Sequence, residues 1–258
     1  MLFTDHLQHT IELQGPPQRI VSLVPSQSEL LWDLGLQDRL AGITRFCIHP
    51  KKMHESIPRV GGTKTLNLDR IRALKPDLII GNKEENERSQ IEALQKEFNV
   101  WMSDIYDLED ALNTIRDIGE LTGTGEKADS MAAEIRSSFR ELPFLEKRVL
   151  YLIWKPYMAA GRGTFIGSML DKIGLKNVIA SGNSRYPQLS MDDISRLNPE
   201  LIFLSSEPFP FKQAHAGELQ QLLPDARIVL VDGELFSWYG SRLLKSAAYF
   251  HELLEQLN

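Results

Sequence analysis

The sequence predicts an α/β protein of two Rossmann-like lobes, each with a central, mainly parallel sheet, joined by one long backbone helix. Three observations carry that expectation. The stretch RIVSLVPSQSELLWDLGL (19–36) reads as a short buried strand followed by a helix. LDRIRALKPDLII (68–80) is answered by MDDISRLNPELIF (191–203), where Ile71, Leu74, Pro76 and Asp77 match Ile194, Leu197, Pro199 and Glu200 one for one. Residues 108–142 hold the longest helical pattern and lie between two strand-rich halves. The expected organisation is an N-terminal lobe over 1–122, an interlobe backbone helix over 123–147 and a C-terminal lobe over 148–258.

In chain order, residues 3–13 alternate loosely and suit a small edge hairpin. Val21, Leu23 and Val24, bounded by Pro17 and Pro25, form the first core strand. The S-Q-S-E run at 26–29 has the form of a capping box opening a helix, and Gly35 is placed to end it. Polar residues 25–28 fall at the carboxyl end of the strand, where open α/β sheets hold ligands, and mark a first candidate wall. Residues 40–43 read as a second strand, TRFCIHP (44–50) as a loop, 61–64 as a turn and 68–74 as a short helix that Lys75-Pro76 stops. A strand follows at 77–80, then a helix opening in NKEENE (82–87) with acidic residues at its amino end, and a strand at 100–102. From the strand at 149–154 onward the plan repeats, including a helix that ends Ile173-Gly174-Leu175 as the first ends Leu34-Gly35-Leu36.

With 258 residues and 42% hydrophobic content the chain buries one large core or two modest ones. A net charge of −6 provides no broad basic surface, so nucleic acid and anionic membranes are poor partners. One cysteine, Cys47, excludes an intrachain disulfide framework and a multi-cysteine metal site. No apolar stretch is long enough to span a bilayer, and MLFTDHLQHTIEL has neither a basic n-region nor an apolar h-region, so no export signal is expected in the chain as written.

Through RIVSLVPSQSELLWDLGL, NLDRIRALKPDLIIGN, RYPQLSMDDISRLNPELIF and FSWYGSRLL, the chain resembles the periplasmic binding proteins for cobalamin and ferric siderophores, the class III, helical-backbone kind, and its cobalamin-binding branch most. The resemblance runs over almost the whole chain from about residue 18. It implies the substrate-binding component of an ABC importer, a monomer that holds a cobalamin-like ligand or another metal chelate, such as a siderophore or tetrapyrrole, in a cleft between lobes and presents it to a permease dimer. An extracytoplasmic location comes with that reading. The lack of an export signal in the chain keeps a second reading open, a cytoplasmic corrinoid or small-molecule carrier or sensor of the same fold with no permease.

The resemblance assigns ligand contacts to Phe46, Asn82, Trp154, Tyr186, Trp238 and Arg242, with Tyr157 and Arg162 as near neighbours. All fall in expected loops or strand ends, where aromatic rings grip a large planar chelate by apolar contact. Arg45, Lys64 and Arg162 add cationic anchors suited to carboxylate or phosphate. Asp69 and Asp192, which hold the same place in the two repeats, take the family's permease-docking role.

Other signals carry less. G-R-G-T-F-I-G (161–167) lacks dinucleotide spacing and reads as a loop into a helix. Cys47, His49 and His54 show no metal-ligand pattern, and Ser26 and Ser28 lack a nucleophile elbow. No metal, cofactor or catalytic residue is assigned, and the sequence does not argue for an enzyme.

Overall fold

The computed structural model describes residues 1–179, 182 and 184–258, which form two compact units. The first comprises Met1–Ile105, Glu109–Arg136 and Tyr239–Arg242. It begins with the antiparallel hairpin β1 (Leu2–Thr4) and β2 (Thr10–Glu12). Then come β3 (Ile20–Ser22), α1 (Pro25–Asp33), β4 (Leu40–Ile43), α2 (Lys51–Ser56), α3 (Leu68–Leu74), β5 (Leu78–Asn82), α4 (Arg88–Gln95), β6 (Val100–Ser103), α5 (Leu108–Thr122) and α6 (Gly125–Ser138). The sheet order is β4-β3-β5-β6, parallel throughout. Val21, Leu23, Ile71, Ile79, Leu94 and Val100 pack together in its core, each worth about 1.5–3 kcal/mol of burial.

The second unit comprises Tyr106–Leu108, Ser137–Trp238 and Leu243–Asn258. It contains β7 (Arg148–Trp154), β8 (Met158–Ala159), α7 (Phe165–Lys172), β9 (Lys176–Asn177), α8 (Met191–Leu197), β10 (Leu201–Ser205), α9 (Gln213–Leu222), β11 (Arg227–Val231), α10 (Gly233–Ser237) and α11 (Leu243–Leu257). Parallel strands β9, β7, β10 and β11 lie side by side, with β8 antiparallel beside β7. Counting parallel strands by appearance, both sheets run second, first, third, fourth. The fold is therefore α/β with two mainly parallel sheets.

The repeat extends to single hydrogen bonds. Lys75 (φ 46°) and Asn198 (φ 42°) both end their short helices in the left-handed region. Asp77 accepts from the Gln18 and Arg19 amides at 2.6 and 2.9 Å, and Glu200 accepts from the Arg148 amide at 2.9 Å. The guanidinium groups of Arg19 and Arg148 reach the Leu74 and Leu197 carbonyls, the exposed C-terminal acceptors of α3 and α8.

Three local expectations are corrected. The capping box at 26–29 does not form: α1 starts on Pro25, Val24 supplies no side-chain cap, and Ser28 Oγ donates back to the Val24 carbonyl at 2.9 Å. Helix α4 opens at Arg88 rather than in NKEENE, because Asn82 Oδ1 takes the Glu84 and Glu85 amides and Asn86 Oδ1 takes the Asn82 amide, folding 82–86 into a turn. Helix α6 covers Gly125–Ser138, short of the 123–147 expected; the chain leaves it in a turn at 139–141, and Pro143 bars Leu142 from carrying the helix on.

Candidate functional site

In the first unit, four of the expected residues gather where β4, β3 and β5 end. The Arg45 amide donates to the Gly61 carbonyl at 2.8 Å, and its guanidinium lies 4.9 Å from the centre of the Phe46 ring, which is 47% exposed. Exposed Lys64 donates to the Glu84 carbonyl at 2.5 Å and more weakly to that of Asn86 at 3.4 Å, tying the 61–65 turn to the turn after β5. Asn86 Nδ2 bridges the Thr63 and Leu23 carbonyls. Asn82 is buried and its amide is engaged at both ends, with Nδ2 donating to Ser103. It shapes the 82–86 turn to which Lys64 is tied.

Residues 26–28, the first candidate wall, are buried and form a floor. Gln27 Nε2 donates to Ser103 Oγ at 2.6 Å, crossing to the end of β6. Ser28 Oγ lies 2.7 Å from Ser22 Oγ and 3.1 Å from Cys47 Sγ. Burial pushes the Cys47 thiol pKa up, so it sits there as a neutral small side chain. Arg242 also belongs to this unit, where Glu29 of α1 holds its guanidinium. Among the described residues no group of three or more His, Cys, Asp or Glu side chains could hold a metal.

In the second unit, Trp154 ends β7 and is 44% exposed. Phe209 stands edge-on to it at 6.0 Å, and Phe211 lies 4.8 Å from Phe209. Tyr157 is buried and stacks parallel to Phe211. Its carbonyl takes the Leu189 amide, which joins the turn after β7 to the segment carrying Tyr186. Arg162 is exposed in the loop before α7, whose cap is Thr164. Trp238 is buried at the end of α10, with its indole N–H bonded to Glu207 Oε1 at 2.7 Å. Asp69 and Asp192 both lie in the first turns of their helices, exposed; Asp69 accepts from Arg72 at 2.9 Å.

Sequence reasoning missed Arg185, Phe209 and Glu207. Arg185 lies 4.8 Å from the ring centre of Tyr106 and 5.8 Å from that of Tyr186, and donates to the Gly163 carbonyl at 2.7 Å. The signal for the other two was EPFPF (207–211), a proline-spaced aromatic pair directly after a core strand.

Two units with the same parallel strand order, carrying aromatic rings and cations on the loops at the strand ends, define a ligand-binding α/β protein. Residues 20–225 match the family described as periplasmic binding protein, and the chain belongs to it. That family binds its substrates rather than transforming them. The chain is 27% identical over 198 residues to a vitamin B12-binding protein of Vibrio campbellii, covering 74% of this chain and 72% of the relative. It is 26% identical over 270 residues to an uncharacterized ABC transporter substrate-binding lipoprotein, YvrC, of Bacillus subtilis, covering 98% and 84%. The crystal structure of the periplasmic heme-binding protein HutB of Vibrio cholerae superposes with a TM-score of 0.76 at 22% identity, covering 92% of this chain and 98% of that one. No helix among the described residues is long and apolar enough to cross a membrane.

Proposed function

We propose that the chain is the substrate-binding component of an ABC importer, working outside the cytoplasm as a monomer and taking a metal chelate of the cobalamin or haem kind. The observation that carries this reading is the exposure of large rings at strand ends, Phe46 at 47% and Trp154 at 44%, in units whose other aromatic side chains are mostly buried. A large planar ligand is gripped by such rings and oriented by a few polar groups. Arg45 beside Phe46 and Arg185 beside Tyr186 supply cationic edges suited to a carboxylate or other acceptor on the ligand rim. Family membership and the relatives named above, one binding vitamin B12 and one an ABC transporter lipoprotein, support the same class.

Phe46, Trp154, Tyr186 and Trp238 provide the apolar contacts in this proposal, with Arg45, Lys64 and Arg162 at the rim. Tyr157, Asn82 and Arg242 act from beneath, fixing the loops. Asp69 and Asp192 dock on the permease; reversing both charges abolishes transport and leaves ligand affinity unchanged. The test is to titrate cyanocobalamin, cobinamide, haemin and a ferric hydroxamate siderophore while following tryptophan fluorescence. Saturable quenching by at least one of them is expected, and quenching by none removes the chelate reading.

A further inference from the structure

Glu207 leaves the carboxyl end of β10 in a turn that α10 presses from the other side. A Cβ on Gly233, the first residue of α10, would fall on Ser205 Oγ and within 2.9 Å of Glu207 Cγ and 3.1 Å of the Glu207 amide, so the packing admits only glycine there. One carboxylate oxygen, Oε1, receives both the Ser237 hydroxyl at 2.9 Å and the Trp238 indole N–H at 2.7 Å. Indole has a single donor. With the ring buried, rotating it away from Glu207 strands that donor without a partner for its proton. The orientation of Trp238 is therefore set by the carboxylate.

The groups that surround Glu207 are almost all acidic or neutral. Glu234 and Asp232 face it from α10 and its cap. Tyr151 of β7 meets Ser205 Oγ at 3.3 Å, and Tyr249 of α11 receives the Asp232 amide at 3.0 Å. Burial first, then repulsion from Glu234 and Asp232, raises the Glu207 pKa above the ordinary carboxylate range, against the opposing pull of the Ser237 and Trp238 donors.

We propose that Glu207 is a positioning residue for Trp238, and that protonating its carboxylate loosens the ring so that ligand is held near neutral pH and released as the medium turns acid. The proposal rests on the reading that Trp238 touches the ligand. A neutral acid accepts the indole N–H less strongly than a carboxylate does, which gives the direction of the effect.

The test uses the whole protein. Indole N–H signals are followed by nitrogen–proton NMR without ligand, Trp238 being assigned by its loss in Trp238→Phe. A low-field Trp238 signal that titrates in one step above the ordinary glutamate pKa of about 4.3 is expected. Glu207→Gln abolishes the titration and holds the signal near the acid-pH position of the wild type, while Glu207→Ala moves it further upfield. A pH-independent signal, or one unmoved in Glu207→Ala, overturns the proposal. Whichever of cyanocobalamin or haemin quenches the wild type should bind Glu207→Ala roughly tenfold more weakly, while Glu207→Gln, a neutral acceptor at every pH, should bind at the weakened acid-pH level of the wild type and lose the pH dependence. Equal affinity in all three overturns the positioning role. If none of cyanocobalamin, cobinamide, haemin and the ferric siderophore binds the wild type, the functional reading fails while the NMR result still decides the coupling of ring and carboxylate.

Discussion

Glu29 and Arg242, 213 positions apart in the chain, close a bidentate ion pair away from solvent, with Nε to Oε2 at 2.7 Å and Nη2 to Oε1 at 2.8 Å. Their side chains are 7% and 8% exposed. The pair fastens the four-residue insert Tyr239–Arg242 to α1 of the first unit, where Gly240 (φ 111°) lets the backbone pass within contact of Ser26 and Leu30.

Removing one partner strands the other as a buried charge, so Glu29→Ala should cost about 3–5 kcal/mol in a guanidinium unfolding titration. Replacing both with apolar residues of similar volume should cost far less. A loss below about 1 kcal/mol for Glu29→Ala would show that the pair is solvated in solution.

This pair also marks where sequence reading stops. Residues 40–43 and 68–74 emerge as written because their signals are local: a short apolar run, a helical stripe, a lysine-proline stop. That the two halves repeat one plan was legible, since Asp77 and Glu200 hold equivalent places in it, whereas the order of the strands was not, because pairing is set by contacts distant in sequence. Glu29 has the spacing of a capping-box residue, and no local rule says that an arginine from the far end of the chain claims it. The same holds for Asn82 and Asn86, whose side chains build a turn from residues that spacing assigns to a helix. Of the proposed ligand-binding surface, Phe46 and Trp154 were legible through the family resemblance and as rings at expected strand ends or loops. Glu207 was not, because its role depends on where α10 brings Trp238.

The two left-handed helix ends respond differently to glycine. An ordinary L-residue in that region is strained by about 1–2 kcal/mol, against about 0.5–1 kcal/mol of added unfolded-state entropy for glycine. Lys75→Gly should therefore raise stability by up to about 1 kcal/mol, while Asn198→Gly should change it little, since asparagine tolerates the conformation. A larger gain for Asn198→Gly in urea unfolding would contradict this.

His6 ties the edge hairpin to α5. Its Nε2 lies 2.9 Å from Asp117 Oδ2, Nδ1 lies 3.3 Å from the Asp104 carbonyl, and the ring meets Trp101 edge-on at 5.1 Å. The hydrogen bond with Asp117 is the main cause of a pKa raised above its ordinary value, against the opposing effect of burial. A group raised on folding stabilises fully below its unfolded value of about 6.5, and that stabilisation is lost as pH rises through the folded value. Wild-type urea stability should therefore fall more than that of His6→Asn as pH increases from about 6 into the alkaline range. An equal or smaller fall in the wild type would contradict the assignment.

The most direct measurement is calorimetric titration of the chelate that quenches the wild type, cyanocobalamin or haemin, into wild-type protein and into Trp154→Ala. Trp154 is exposed at the end of β7, so its truncation should leave the fold intact and weaken binding by roughly 10- to 100-fold, as loss of an aromatic anchor does. Affinity unchanged in Trp154→Ala, with the protein folded, would place the ligand elsewhere and contradict the account.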